Sequence, residues 1–344
     1  MGIQTVVSRC PVGTASELII KKGWLQKALL QKNAGFCILQ SMGSEHLRAH
    51  FTQEAPLHFR DGGNIPPIWA QSQGERSVLL GVTFQKDKRG IFVRPDSPIK
   101  DIKDLKGKRL AIPVREDAIV DFRQLTALHG FQNILAHVGI LMDEVELCPI
   151  KCKNIVPSLK KNLDLLDNSV DFITEEIQAV IDGKADAAFT SSVKTERHEN
   201  AKILANILPL ELHREIPDIN NDSVLAITCT KPFAYEHPDL VVVYLKELIK
   251  AGRWIPDHKK EFVETIASGI YGATPEEIMA TFDEELLFQR IPELSDRGFE
   301  MLNKEKEFLI QQNMIPKEKD FDIEAWADPG FLEQAFKELE NDCN

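Results

Sequence analysis

The chain has 344 residues, 43% hydrophobic and 27% charged, which is enough for two domains with substantial cores and unlike any collagenous or disordered composition. A formal net charge of -12 excludes nucleic acid or an anionic membrane as the main partner, because both need clustered Lys and Arg, and it confines any anionic small molecule to a local cationic pocket. The opening MGIQTVVSRC has no basic leader or apolar core, no apolar run is long enough to span a membrane, and the six cysteines (Cys10, Cys37, Cys148, Cys152, Cys229, Cys343) show no disulfide or zinc framework, so a reduced, cytoplasmic monomer without bound metal is expected.

In chain order, IQTVVS (3–8) predicts a strand. After Cys10 and Pro11, the apolar positions Ala15, Leu18, Ile19 and Leu25 predict a helix over 14–27, interrupted at Gly23. SVLLGVTF (77–84) and GIFVRPDSP (90–98) read as strands, with Pro95 and Pro98 bracketing a crossing segment. DIKDLKGKRLAIP (101–113) predicts a short helix, a turn at Gly107 and a strand over Arg109–Ile112; EEIQAVIDGKADAAFT (175–190) predicts a helix ending at Gly183 and a strand over 185–189. Helix, glycine and strand in that order suit a parallel sheet. After the turn-rich PDINNDS (217–223), a strand over 224–229 leads into a helical tail, where Asp239 is the expected N-cap of a helix with Leu240, Val243, Leu248 and Ile249 on its apolar face. The pattern is α/β, with residues 1–95 and 224–344 as one domain, 96–223 inserted as the second, and a ligand cleft between them at the carboxyl ends of strands.

Cys10 follows the first strand, where such a cleft opens. Helix N-terminal amides and the adjacent Arg9 would favour its thiolate, whereas a small residue packed at a turn is the alternative. RAHFTQEAPLHFRDGGNIPP (48–67) gathers His50, His58 and Arg60 ahead of Gly62 and Gly63. Arg60 is suited to a two-pronged contact with an oxyanion and the Gly63 amide to a further donor; a tight turn with structural histidines is the alternative. Phe131 fits either an apolar pocket or a core. Cys148 and Cys152 have no second pair with which to bind metal, and no nucleotide-binding glycine motif is present.

FVRPDSPIKDIKDLKGKRLAIP (92–113) and AVIDGKADAAF (179–189) resemble segments of type II periplasmic-binding-protein folds, which include receptors for sulfonates, taurine and nitrate. Nearly the whole chain resembles the aromatic sulfinate desulfinases of dibenzothiophene desulfurisation. The resemblance rests on Ser-x-Cys-Pro-Val (Ser8 to Val12), His-Phe-Thr (His50 to Thr52) and Arg-x-Gly-Gly-x-Ile-Pro-Pro (Arg60 to Pro67), and on LLGVTF, DEVELCPI, AGRWIPDH, EFLIQQNMI and AWADPGFL. It implies hydrolysis of an aromatic sulfinate to sulfite without a cofactor, with Cys10, His50 and Arg60 catalytic and Gly62 and Gly63 against the substrate. Phe131 stands where that family has a substrate-facing tryptophan. The chain departs from the family in TSSVKTERHEN (190–200) and in a shorter stretch over 117–140, so the shape of the pocket is less constrained than the chemistry. The alternative on the same fold is a non-catalytic receptor for a sulfonate, nitrate or similar anion. A pyrimidine-forming enzyme of thiamine synthesis is disfavoured by the lack of a cysteine-dense loop.

Overall fold

A computed structural model describes residues 2–342 except Pro11 and residues 44–45, 117, 153–174, 192–203, 210–211, 217–218, 220–223, 268 and 271–272. Among the described residues the strands form two five-stranded sheets. The first contains β1 (Ile3–Ser8), β2 (Ala34–Ile38), β3 (His58–Gly63), β4 (Ser77–Phe84) and β10 (Val224–Thr230), in the order β2-β1-β3-β10-β4. The second contains β5 (Arg89–Val93), β6 (Arg109–Val114), β7 (Glu146–Lys151), β8 (Ala187–Ser191) and β9 (Ala205–Asn206), in the order β7-β6-β8-β5-β9. β1 is parallel to β2 and β3, and β6 is parallel to β7 and β8. The antiparallel exceptions are β5 and β10, the strands on which the chain enters the second sheet and returns to the first.

That exchange sets the sheet change earlier than the boundary at 95 expected from the sequence. It falls at residues 85–88, between β4 and β5, so β5 belongs to the second sheet and Pro95 and Pro98 follow the crossing. The polar stretch Gln85-Lys86-Asp87-Lys88 is the segment between the two apolar strands. The chain returns on β10, Val224–Thr230, which matches the strand expected over 224–229.

Both sheets are covered on both faces, which is why β4 and β10 are buried at every position and read as continuous apolar runs. On one face of the first sheet, Leu18, Ile19, Phe59, Phe233, Tyr244 and Leu248 form a core with helix α1 (Ala15–Lys21); on the other, Ile65, Ile68, Leu79 and Val82 pack with Leu302. The second sheet has Ile91, Leu110, Leu135 and Phe189 on one face and Phe92, Ala111, Ile177 and Val180 on the other. Val120 and Leu125, near the start of a helix over Phe122–His137, join the cluster of Ile65 and Ile68, so the two sheets' layers share apolar contact.

Glycine ends or separates helices where expected. Gly23, at φ 70°, divides α1 from α2 (Trp24–Leu30), because the left-handed conformation there suits a residue without Cβ. In the tail, His237 rather than Asp239 is the N-cap of the helix Pro238–Trp254. Pro238 takes the first helical position, where its missing N–H leaves no donor unpaired, and Asp239 lies in the first turn. No helix among the described residues is long and apolar enough to cross a membrane.

Candidate active site

The site is built at the carboxyl ends of parallel strands, where β1 stops and β3 continues. The last ladder partner of β1 is Ser8, opposite Arg60, and Asp61, Gly62 and Gly63 extend β3 beyond it. Cys10 occupies that extension. A Cβ on Gly62 would lie 2.5 Å from Cys10 Cβ and 2.7 Å from its Sγ, well inside van der Waals contact, so only glycine lets the cysteine lie on the strand. Arg60 NH2 is 3.7 Å from the same point, which puts the guanidinium and the sulfur on one face of β3.

Arg60 is 1% exposed. Its Nε donates to the His50 carbonyl at 3.1 Å, while NH1 has no hydrogen-bond partner and no carboxylate lies within ion-pair distance among the described residues. Burial lowers its pKa, and the opposing charges of Cys10 and Asp61 act against that. A buried guanidinium with an unused N–H edge is strongly unfavourable unless an anion completes it.

His50 lies in the single turn of α3 (Ala49–Thr52) and is buried. Burial, then the charges of Arg60 and His58, hold its pKa well below 6.5, so the ring is neutral, and its Nδ1 has no partner. His50 meets Arg60 through its backbone carbonyl. His58 is also neutral, pushed down to about 3 by burial and Arg60. Of His50, His58 and Arg60, only Arg60 is a cation.

The Arg9 guanidinium forms a two-pronged pair with Glu17. α1 begins at Ala15 with Thr14 as its N-cap, as expected, shortly after Cys10. Phe131 is fully buried in the second sheet's core, 5.9 Å from the Phe189 ring, and is not brought to Cys10; its position on the inner face of the helix Phe122–His137 made it a core residue. Gly63 closes β3 opposite Leu225 and is partly exposed. Of TSSVKTERHEN, residues 192–200 lie outside the described residues.

Three features were not anticipated. Asp61, one step from Arg60 and therefore on the opposite face of β3, accepts from Ser16 Oγ at 2.6 Å, and Ser16 Oγ lies 2.6 Å from Tyr244 OH. Burial raises the Asp61 pKa against these hydrogen bonds. The second is an aromatic run from the site to the second sheet's layer: Phe51 meets His50 edge-on at 5.2 Å, and Phe122 stacks on Phe51 at 6.4 Å. The third is a cluster of Cys152, Glu175 and Glu176, whose ligand atoms lie within 4.8 Å of one another. Arg115 and Arg123 act on the same thiol, which burial and the two glutamates raise to about 12, so cations of the protein already balance these carboxylates.

Two sheets exchanging strands, with a buried cation and a cysteine at the strand ends, define an α/β protein of the type II periplasmic-binding-protein fold. Residues 65–173 match the family described as NMT1/THI5 like. The periplasmic aliphatic sulphonate binding protein SsuA from Escherichia coli shares the fold, with a TM-score of 0.64, 15% identity and coverage of 95% of this chain and 98% of that one. Along nearly its whole length the chain resembles the 2'-hydroxybiphenyl-2-sulfinate desulfinase of Rhodococcus erythropolis, at 25% identity over 94% of this chain and 91% of the relative. The crystal structure of a cysteine-to-serine mutant of the desulfurization enzyme DszB with biphenyl-2-sulfinic acid superposes with a TM-score of 0.78 and 22% identity, covering 98% of this chain and all of that one.

Proposed function

We propose that this protein hydrolyses an aromatic sulfinate to the arene and sulfite, with Cys10 as the reacting group, Arg60 as the anion holder and His50 as a neutral hydrogen-bond partner. The carrying observation is Arg60 itself, a buried cation with NH1 unpartnered, beside Cys10 on the same face of β3. A sulfinate is a pyramidal anion on an apolar ring. Its oxygens match the free edge of Arg60, with the Gly63 amide as a second donor, and its ring matches the side of the site bounded by Phe51 and Phe122.

The net reaction, ArSO2⁻ + H2O → ArH + HSO3⁻, is redox-neutral and needs a proton at the ring carbon. A neutral His50 disfavours an imidazolium–thiolate pair and supports a thiol that donates. The Cys10 proton passes to the ring carbon as the carbon–sulfur electron pair collapses onto it. Sulfur leaves as SO2, water adds to give hydrogensulfite, and the released proton restores the thiol. Attack of the Cys10 sulfur at the sulfinate sulfur is the competing route: the proton lost from the thiol passes to the departing ring carbon to give ArH, and water then resolves the Cys10 Sγ–SO2⁻ adduct to the thiol and hydrogensulfite. Either route requires a reduced Cys10, which a reducing compartment would maintain.

The second reading is a receptor for a small oxyanion, favoured by the fold shared with SsuA. Sulfite release from aryl and alkyl sulfinates, measured with wild type and Cys10→Ser, separates the two. Cysteine-dependent release with binding retained in Cys10→Ser supports the hydrolase. Saturable calorimetric binding without release by either protein supports the receptor.

A further inference from the structure

Arg9, the residue before Cys10, is held at four of its atoms. Its N–H donates to Gln40 Oε1 at 3.1 Å and its carbonyl accepts from Gln40 Nε2 at 2.9 Å. Its Nε donates to Glu17 Oε2 at 2.8 Å, and NH2 donates to the other carboxylate oxygen. Gln40 is 1% exposed and lies in the short turn Leu39–Ser41 that follows β2, while Glu17 lies on α1. Burial alone would raise the Glu17 pKa, but Arg9 and Lys21 bring it below its ordinary value, so this grip is charged at neutral pH.

The backbone ladder between β1 and β2 ends at the pair Val7 and Ile38. Beyond it, the Gln40 amide does what a further strand residue would do, bonding the peptide groups on both sides of the Arg9 Cα. Only one orientation of that amide works, because the flipped form would set N–H against N–H and oxygen against oxygen. The second of these groups is the Arg9–Cys10 peptide, whose plane directs the Cys10 Cβ onto Gly62.

We propose that Gln40 is a positioning residue for Cys10, extending the β1 ladder by one side-chain amide so that the sulfur is held over Gly62 beside Arg60. This rests on Cys10 being the reacting group. A reacting atom must be held to a fraction of an ångström, and a loop becomes that rigid when its peptide groups are bonded to a buried partner.

The test uses Gln40→Leu, which removes both bonds, and Gln40→Glu, which keeps the acceptor and keeps the donor only while protonated. In folded Gln40→Leu, kcat for sulfite release is expected to fall about 100-fold with KM within about twofold of wild type. The rate of Cys10 carboxamidomethylation, read by peptide mass spectrometry against Cys148 in the same molecule, should change with it. In Gln40→Glu, both readouts should approach wild type at low pH and depart from it in a single titration as the pH rises, a step that wild type lacks. Wild-type kcat and labelling in Gln40→Leu, or a pH-independent defect in Gln40→Glu, would overturn the proposal. If Gln40→Leu does not fold, the Gln40→Glu titration decides. If even the wild type releases no sulfite, the hydrolase reading fails, while the labelling comparison still tests whether Gln40 places the thiol.

Discussion

Replacing Gly62 by alanine isolates the closest contact in the site. The added Cβ would meet Cys10 Cβ at 2.5 Å and Sγ at 2.7 Å, whereas ordinary contact begins at 3.4 Å. Cys10 must therefore retreat by about 1 Å, and the atom in the way is a Cβ that moves only with its backbone. That backbone is bonded to Gln40 and tied through the Arg9 side chain to Glu17, so it yields at a price of about 1–3 kcal/mol. Thermal or urea unfolding of a double-mutant cycle measures the effect directly. Gly62→Ala should destabilise the wild-type background by that amount, but in the Cys10→Gly background, where both clashing atoms are gone, it should be neutral or stabilising by up to about 1 kcal/mol. Sulfite release by Gly62→Ala should drop about 100-fold, because the sulfur is moved and not removed. Equal destabilisation in the two backgrounds would refute the reasoning, since it would mean that Cys10 does not rest on Gly62.

The remaining expectations concern charge and packing. Arg60→Lys should weaken sulfinate or sulfonate binding in calorimetry by at least about tenfold, because an ammonium cannot both hold the His50 carbonyl and present a planar N–H edge to the anion. His58 has a folded pKa of about 3, so below about pH 6.5 the unfolded chain binds a proton that the folded one does not. The stability from its neutral burial is thus lost as the pH falls, by about 2 kcal/mol at pH 5, and His58→Gln should flatten the unfolding profile between pH 7 and 5 by that amount. Phe131→Leu should lower the melting temperature while leaving the ratio of kcat/KM between aryl and alkyl sulfinates unchanged; a changed ratio would return Phe131 to the pocket.

The parts of the fold that could be read in advance are those with local causes. The strands at 3–8 and 77–84 are continuous β-branched and apolar runs, and both have the expected ends. Gly23, Gly107 and Gly183 stand at φ 70°, 71° and 72°, where helices or turns end for reasons contained in one residue. β3 was not legible in this way. HFRDGG carries charges and glycines that disfavour a strand in isolation, and its extended form comes from pairing with β1 and β10, the latter about 165 residues away in the chain. The site divides similarly. Cys10 and Arg60 were named from motif and chemistry, but that Gly62 makes room for the cysteine beside Arg60 shows only in three dimensions. The pairing of Arg9 with Glu17 was not legible, because Glu17 lies on the next helix and is buried there. Gln40 and Asp61 carry no motif, and their roles arise only once β1, β2, β3 and α1 are side by side.

What distinguishes a hydrolase from a receptor on this scaffold is the arrangement around the sulfur. A receptor for an oxyanion needs a buried cation and converging donors, and Arg60 with its unpartnered NH1 supplies the first of these without reference to Cys10. It has no use for a cysteine that demands glycine beneath it, nor for a preceding residue bonded through both peptide groups and its side chain. Binding tolerates small displacements of a neutral neighbour, whereas a proton transfer or an attack at sulfur loses rate steeply with distance. Constraint concentrated on Cys10, beyond what holding an anion requires, therefore weighs toward chemistry at that atom. The comparison that exposes it is the response of binding and turnover to Gln40→Leu. A receptor would retain its affinity and have nothing further to lose, whereas a hydrolase should retain its affinity and lose its rate.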